Sequence, residues 1–431
     1  MGGVVIAEQR NEIRIVILLG APFTAQNFER TGIPYLSKYF KVIVFDCTQW
    51  LGRNTENIKY QKAYWDNFYT IKSQTDLDKQ IEKHKPHYAI DNIGFGYYTL
   101  SICQILIKYK VKFIVQRTGL LPSTKILIRI KNRLIALIFK ANFGHILDNS
   151  ESSTFVSRKV TEIKWSVKLI DRCKLEVQLI RGLIKFNSLP GYIGLIAGSK
   201  SLDRFTIKCD PIVWIGSQDY HTFNKAKNEL TLKYGQEINQ PFILFIDDNL
   251  PNANDWAILG IHPPVTEALY YPAINAFFEK VESIYNMPVK IAGHPNNIAD
   301  ENFPARFAGR KVVFGETATL VLQSTLVLAH ASTAISFAVM ARKPIVYLTS
   351  MEIEHSHCKQ YLITMSNSLG APLVFIDKEF NKGIFLKSLV VDDLKYRLYE
   401  KNYLCNELSD ERKPWEALIK YIKNNQKYTN L

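Results

Sequence analysis

A chain of 431 residues is longer than one hydrophobic core ordinarily organises, so two domains are expected. Its 47% hydrophobic and 22% charged residues exclude wholesale disorder, and no run approaches the roughly 20 apolar residues that would span a bilayer. Against 40 Asp and Glu stand 54 Lys and Arg, a net charge of +14 that suits nucleic acid, an anionic membrane or phosphorylated ligands.

Much of the basic excess lies between Lys125 and Lys185. Val4–Ala7 is too short an apolar stretch, ahead of Glu8 and Arg10, to be a cleavable leader. The six cysteines are scattered with no CxxC pair, as in a reduced compartment. A cytoplasmic protein is expected, either soluble or peripheral at the cytoplasmic face of the inner membrane.

In chain order, Arg14–Leu19 reads as a strand ending at Gly20, and Tyr39–Asp46 as a second ending in an acid. Further strands are expected at Tyr88–Ile90 and Val111–Gly119, and Phe205–Ile215 with the polar Gly216–Tyr220 is expected to close this half. A second half opens after Gln240 with PFILFIDDN, a strand running into Asp247, Asp248 and Asn249. Tyr271–Tyr285 has apolar residues at three- and four-residue intervals, the period of a helix. Strands at Val289–Ala292, Arg310–Phe314, Leu326–Ala329 and Pro344–Leu348 follow, with a helix at Ala334–Ala341 and a closing one at Lys413–Lys427. Alternating strands and helices predict an α/β fold of two Rossmann-like domains facing a central cleft. The expected boundaries are 1–225, 226–405 and a terminal helix within 406–431 that packs back near the domain junction.

In such sheets ligands sit beyond the carboxyl ends of the strands. Those ends here carry Gly293-His294-Pro295-Asn296, Gly315-Glu316-Thr317, and His330-Ala331-Ser332-Thr333. Glycine admits close backbone approach, imidazole can donate to a phosphate oxygen, and Ser or Thr before a helix either caps it or seats an anion. Glu316 could take ribose hydroxyls. The paired carboxylates Asp247 and Asp248 are the best candidates for a general base. Glu354-His355-Ser356-His357-Cys358 has a metal-like composition but no second ligand cluster, so a polar loop is the simpler reading and no metal site is expected. Lys125–Lys140 mixes basic and apolar residues, as either an interfacial helix or a surface helix with snorkelling cations. It lacks interleaved aromatics, which weighs against nucleic acid.

The second half resembles bacterial sialyltransferase-like glycosyltransferases of the GT-B architecture. Asp247-Asp248 stand in the family's acidic motif with Asn249 in place of its glycine, His294-Pro295 in its His-Pro motif, and Ser332-Thr333 in its phosphate-holding pair. Over roughly Gln240–Thr349 the chain is also similar to proteins of capsule and O-antigen clusters, in its Gly260–Val265 segment among others.

That resemblance implies an inverting, metal-independent transfer of a nonulosonic acid from a CMP-sugar donor to a glycan or lipid-linked glycan acceptor. No further cofactor is implied. An Asp would act as base, with Asp247, Asp248 and His294 catalytic. Gly293, Pro295, Asn296, Gly315, Glu316, Thr317, His330, Ser332 and Thr333 would hold the donor, and Gly20 and Arg117 would lie on the acceptor side. The alternatives are a UDP- or GDP-sugar transferase, a UDP-amino-sugar epimerase and a non-catalytic glycan-binding protein of capsule assembly.

Overall fold

The computed structural model describes residues 12–24, 28–53, 62–93, 99–119, 121–122, 192–204, 209–234, 240–254, 256, 261–379, 390–407 and 413–426. The basic region between Lys125 and Lys185, with the Lys125–Lys140 stretch in it, and Gly260 lie outside these residues.

The first sheet contains β1 (Arg14–Leu19), β2 (Lys41–Asp46), β3 (Phe68–Thr70), β4 (Tyr88–Asn92), β5 (Lys112–Arg117), β6 (Tyr192–Ile196) and β7 (Cys209–Trp214). All pairs are parallel, in the order β3-β2-β1-β4-β5-β6-β7. Both faces are covered, which explains why β1 is apolar without alternation. Ile15 and Ile17 pack into one core, and Val16 and Leu18 into the other.

The second sheet contains β8 (Ile243–Ile246), β9 (Val289–Gly293), β10 (Val312–Phe314), β11 (Leu326–Ala329), β12 (Ile345–Thr349) and β13 (Leu373–Phe375). Its order is β10-β9-β8-β11-β12-β13, again parallel throughout. Counted from the first strand of each sheet, both follow the Rossmann order, with the strand sequence reversing between β1 and β4 and between β8 and β11. The expected α/β class with two Rossmann-like sheets is therefore present.

The chain passes between the two sheets twice. The helix Gln218–Tyr234, which contains the expected boundary at 225, leads out of the first lobe. Its opening turn touches both lobes, because Arg30 Nε donates to Gln218 Oε1 at 3.3 Å and Ser336 Oγ donates to Asp219 Oδ2 at 2.7 Å. The return runs through a π-helical turn, Glu400–Leu404. The two passages adjoin: Ser217 N donates to Leu404 O at 2.7 Å, and a Cβ on Gly198 would stand 2.3 Å from Asn402 O. The final helix, Pro414–Gln426, then lays Trp415, Leu418 and Ile422 into the first sheet's core.

Two helices differ from expectation. The one predicted at Tyr271–Tyr285 starts at Glu267, so that Pro272 sits inside it. The one predicted at Ala334–Ala341 spans Ile335–Met340 with Ala334 at its N-cap, one residue beyond the Ser-Thr pair.

Candidate active site at the carboxyl edge of the second sheet

β8 and β11 are neighbours, so the residues after their last strand positions face each other across the point where the strand order reverses. On one side stand Asp247 and Asp248, on the other His330, Ala331 and Ser332. β9, on the far side of β8, delivers His294.

Asp247 is 3% exposed, and its carboxylate organises two loops. Oδ1 accepts Asn249 N at 3.0 Å and Oδ2 accepts His294 N at 3.2 Å. Burial pushes its pKa up to about 6, opposed by those two N–H donors and by the charge of Arg306. Asp248 is half-buried beside Ser332 and Ala331. Burial, with the Asp247 charge in support, pushes its pKa up to about 7, opposed by the Ser332 hydroxyl and the Ala331 N–H. Adjacent acids with such values titrate as a coupled pair, and their range is the one a general base needs at neutral pH.

Asn249 has φ 51°, a left-handed conformation that asparagine tolerates better than any other residue with a side chain except aspartate. That accounts for asparagine here: it holds a backbone shape that otherwise favours glycine. Its side-chain Oδ1 is buried without a partner.

His294 Nδ1 accepts Asn296 N at 3.3 Å, which leaves Nε2 as the ring's donor in the neutral tautomer. Pro295 and Asn296 are exposed beside it. Gly293 has a packing reason to be glycine, since a Cβ there would lie 2.5 Å from Cε1 of Phe314, its partner on β10. Gly315 takes φ 78°, with open space where a side chain would stand. Glu316 is exposed at the N-cap of the helix Thr317–Gln323 and makes no side-chain cap.

His330 is placed otherwise than expected. It is fully buried, with Nδ1 at 2.7 Å from Leu348 O and Nε2 at 3.0 Å from the Tyr270 hydroxyl. A carbonyl only accepts, so Nδ1 carries the proton and Tyr270 donates to Nε2. Burial pushes the ring down to about 4, so it is neutral at physiological pH, with both nitrogens used inside the fold. Ser332 does not cap the following helix at its first residue but accepts Ala334 N at 3.3 Å. Thr333 is exposed beside it.

Gly20 and Arg117 lie on the carboxyl edge of the first sheet, after β1 and at the end of β5. Gly20 is held against Ile93, whose Cα would be 2.8 Å from an added Cβ. Arg117 Nη1 donates to Gln116 O at 2.7 Å and stands 3.8 Å from Asp91 Oδ2. The 354–358 segment forms a turn, with His355 Nδ1 donating to Met351 O and His357 edge-on to Trp256. Among the described residues no group of three or more His, Cys, Asp or Glu is placed to hold a metal.

Sequence reading did not single out Arg306 or Tyr270. Arg306 pairs with Glu267 at 3.3 Å and Asp300 at 3.2 Å, with its guanidinium 5.6 Å from the Tyr271 ring centre. Its only sequence signal is a lone arginine in a short loop.

No known family and no curated protein matches the chain. Solved structures align along nearly its whole length at low identity. A UDP-GlcNAc 2-epimerase of Methanocaldococcus jannaschii, in complex with UDP-GlcNAc and UDP, is 14% identical, with 96% of this chain and 100% of that one covered and a TM-score of 0.40. MurG of Acinetobacter baumannii is 8% identical over 96% and 99%, at 0.46. A UDP-glucose:anthocyanidin 3-O-glucosyltransferase in complex with UDP is 11% identical over 96% and 100%, at 0.48. At these values the likeness adds nothing to the strand order. None of this assigns the chain to the sialyltransferase-like family.

Proposed function

We propose that this protein is a nucleotide-sugar enzyme of the GT-B type, transferring a glycosyl group with inversion from a donor seated on the second sheet. The observation that carries the reading is the Asp247–Asp248 pair beside His294 and Ser332 at the reversal point, with carboxyl pKa values of about 6 and about 7. In the transfer, Asp248 takes the acceptor hydroxyl proton as the acceptor oxygen bonds to the anomeric carbon. The bond from that carbon to the donor phosphate breaks, and the phosphate leaves with its electron pair. Asp247 positions Asp248 and His294 through its two backbone donors, and His294 Nε2 is suited to the charge growing on the phosphate.

A UDP-sugar is the preferred donor, and a CMP-linked nonulosonic acid the second reading. The CMP reading seats the leaving phosphate on His294, Ser332 and Thr333, with His330 among the donor-binding residues; His330 has both nitrogens engaged within the fold, which removes it from that set. A glycan or lipid-linked glycan is the proposed acceptor.

Nucleotide release from CMP-, UDP- and GDP-sugars, with and without a glycan acceptor, tests the proposal. Acceptor-dependent UDP release is expected. Release from CMP-sugars alone would restore the second reading, acceptor-independent conversion of a UDP-amino sugar would make the protein an epimerase, and absence of nucleotide binding would overturn the proposal.

A further inference from the structure

The amino-terminal edge of the first sheet, opposite its carboxyl edge, is a belt of cations. Arg14, Lys41 and Lys112 open β1, β2 and β5, and Arg14 is paired directly with Lys41. His87 closes the gap between β1 and β5: Arg14 N donates to its Nδ1 at 3.1 Å, and Lys112 N donates to its carbonyl at 3.0 Å. Lys85 and Lys110 occupy the turns that enter β4 and β5, and Arg14 Nε donates to Lys85 O at 3.1 Å. The far end of the last helix joins the belt, with Lys423 Nζ 3.6 Å from the ring centre of Tyr39, which is 54% exposed. Lys112 lies over Tyr88 and Lys108 over Tyr109 in the same way.

Residues 38–42, 83–88, 108–112 and 420–425 contain no carboxylate. Glu12 precedes Arg14, and Asp78 takes Lys108 at 2.9 Å. After burial, the charges of Lys83, Lys41 and Arg14 hold His84 below the usual histidine range.

Helix C-termini reach this edge and favour cations in their last turns, which accounts for Lys83 and Lys108. It does not account for the strand-opening residues. Lys85, the C-cap of the helix Gln74–His84, and Lys110 have φ 44° and 57°, left-handed positions where glycine or asparagine is at ease and lysine is strained.

We infer that this basic, tyrosine-bearing edge docks the protein on an anionic lipid surface. Cations around the exposed Tyr39 suit a headgroup layer. The strands are about 20 Å long, so the carboxyl edge would point away from the bilayer. Docking is then a tether, independent of the proposed reaction.

Flotation of the full chain with phosphatidylcholine vesicles, with and without phosphatidylglycerol, tests this. Wild type is expected to float with the anionic vesicles alone and to be released by salt. The Lys85→Gly/Lys110→Gly variant should bind about 25-fold more weakly, about fivefold per lysine removed. The same substitutions relieve two strained turns, so thermal stability should hold or rise, separating lost docking from lost fold. Wild-type failure to float, unchanged binding by the variant, or a preference for a single-stranded oligonucleotide over the vesicles at equal salt would each overturn the inference.

Discussion

The carboxylate of Asp247 accepts His294 N at 3.2 Å, just beyond the last positions of the neighbouring strands β8 and β9. This contact ties the two following loops together at the carboxyl edge of the second sheet.

Asp248→Asn is expected to lower turnover by about 10²–10⁴ while leaving nucleotide affinity in place, because a base contributes to the transition state more than to binding. Stability should move the other way. The folded-state pKa of about 7 lies above the ordinary 3.8, so stability is fully present below the lower value and declines as pH rises through the higher one. The variant lacks that decline, so its stability relative to wild type should grow from pH 4 to pH 8, reaching about 2–4 kcal/mol. Thermal melts across this range, beside isothermal titration with nucleotide, check both halves.

Asp247→Ala removes the acceptor of Asn249 N and His294 N and leaves two loop donors unpaired. A loss of about 2–4 kcal/mol is expected, larger than for a surface carboxylate. Urea titration of wild type and variant gives the number.

Asn249→Gly should keep activity and change stability by less than about 1 kcal/mol, since glycine adopts φ 51° freely and the unpartnered Oδ1 is removed. Asn249→Ala should be the worse variant by about 1 kcal/mol, because alanine must enter the left-handed region. If alanine is tolerated as well as glycine, backbone shape is not the reason for asparagine here.

Gly293→Ala drives a methyl group into the Phe314 ring, with an expected loss of about 1–3 kcal/mol. Phe314→Leu in the same chain should recover part of it. A double-mutant cycle in thermal stability reads the coupling directly.

Arg306→Gln removes a positive charge that lowers the Asp247 pKa. The acidic limb of kcat/KM should therefore move to higher pH, while rates well above neutrality change less. A pH–rate profile settles the sign; a shift to lower pH would show that Arg306 acts on another group.

The residues that were legible in sequence are those whose environment is uniform. β1 and β11 match their predicted spans because both faces are buried, so the apolar run is unbroken from end to end. β3 and β13 are three-residue edge strands with largely half-buried side chains, too short to show a period. Tyr192–Ile196 is fully buried and was as apolar as β1, but it follows a long basic stretch that masks its strand character. At the site, strand ends located Asp247, Asp248, His294 and Ser332 correctly on one edge. His330 has the same sequence context, yet its direction is set by Tyr270, 60 residues away on another helix. A single sequence carries strand ends; it does not carry which way an imidazole turns.

The two interlobe passages lie side by side, with Ser217 bonded to Leu404 and the Gly198 backbone pressed against Asn402. A body joined twice along one seam has little freedom to slide or twist about a single pivot; what remains is a hinge whose axis follows that seam. A side chain at Gly198 would have to push the return passage off the first lobe, so even alanine there should loosen one of the two joints.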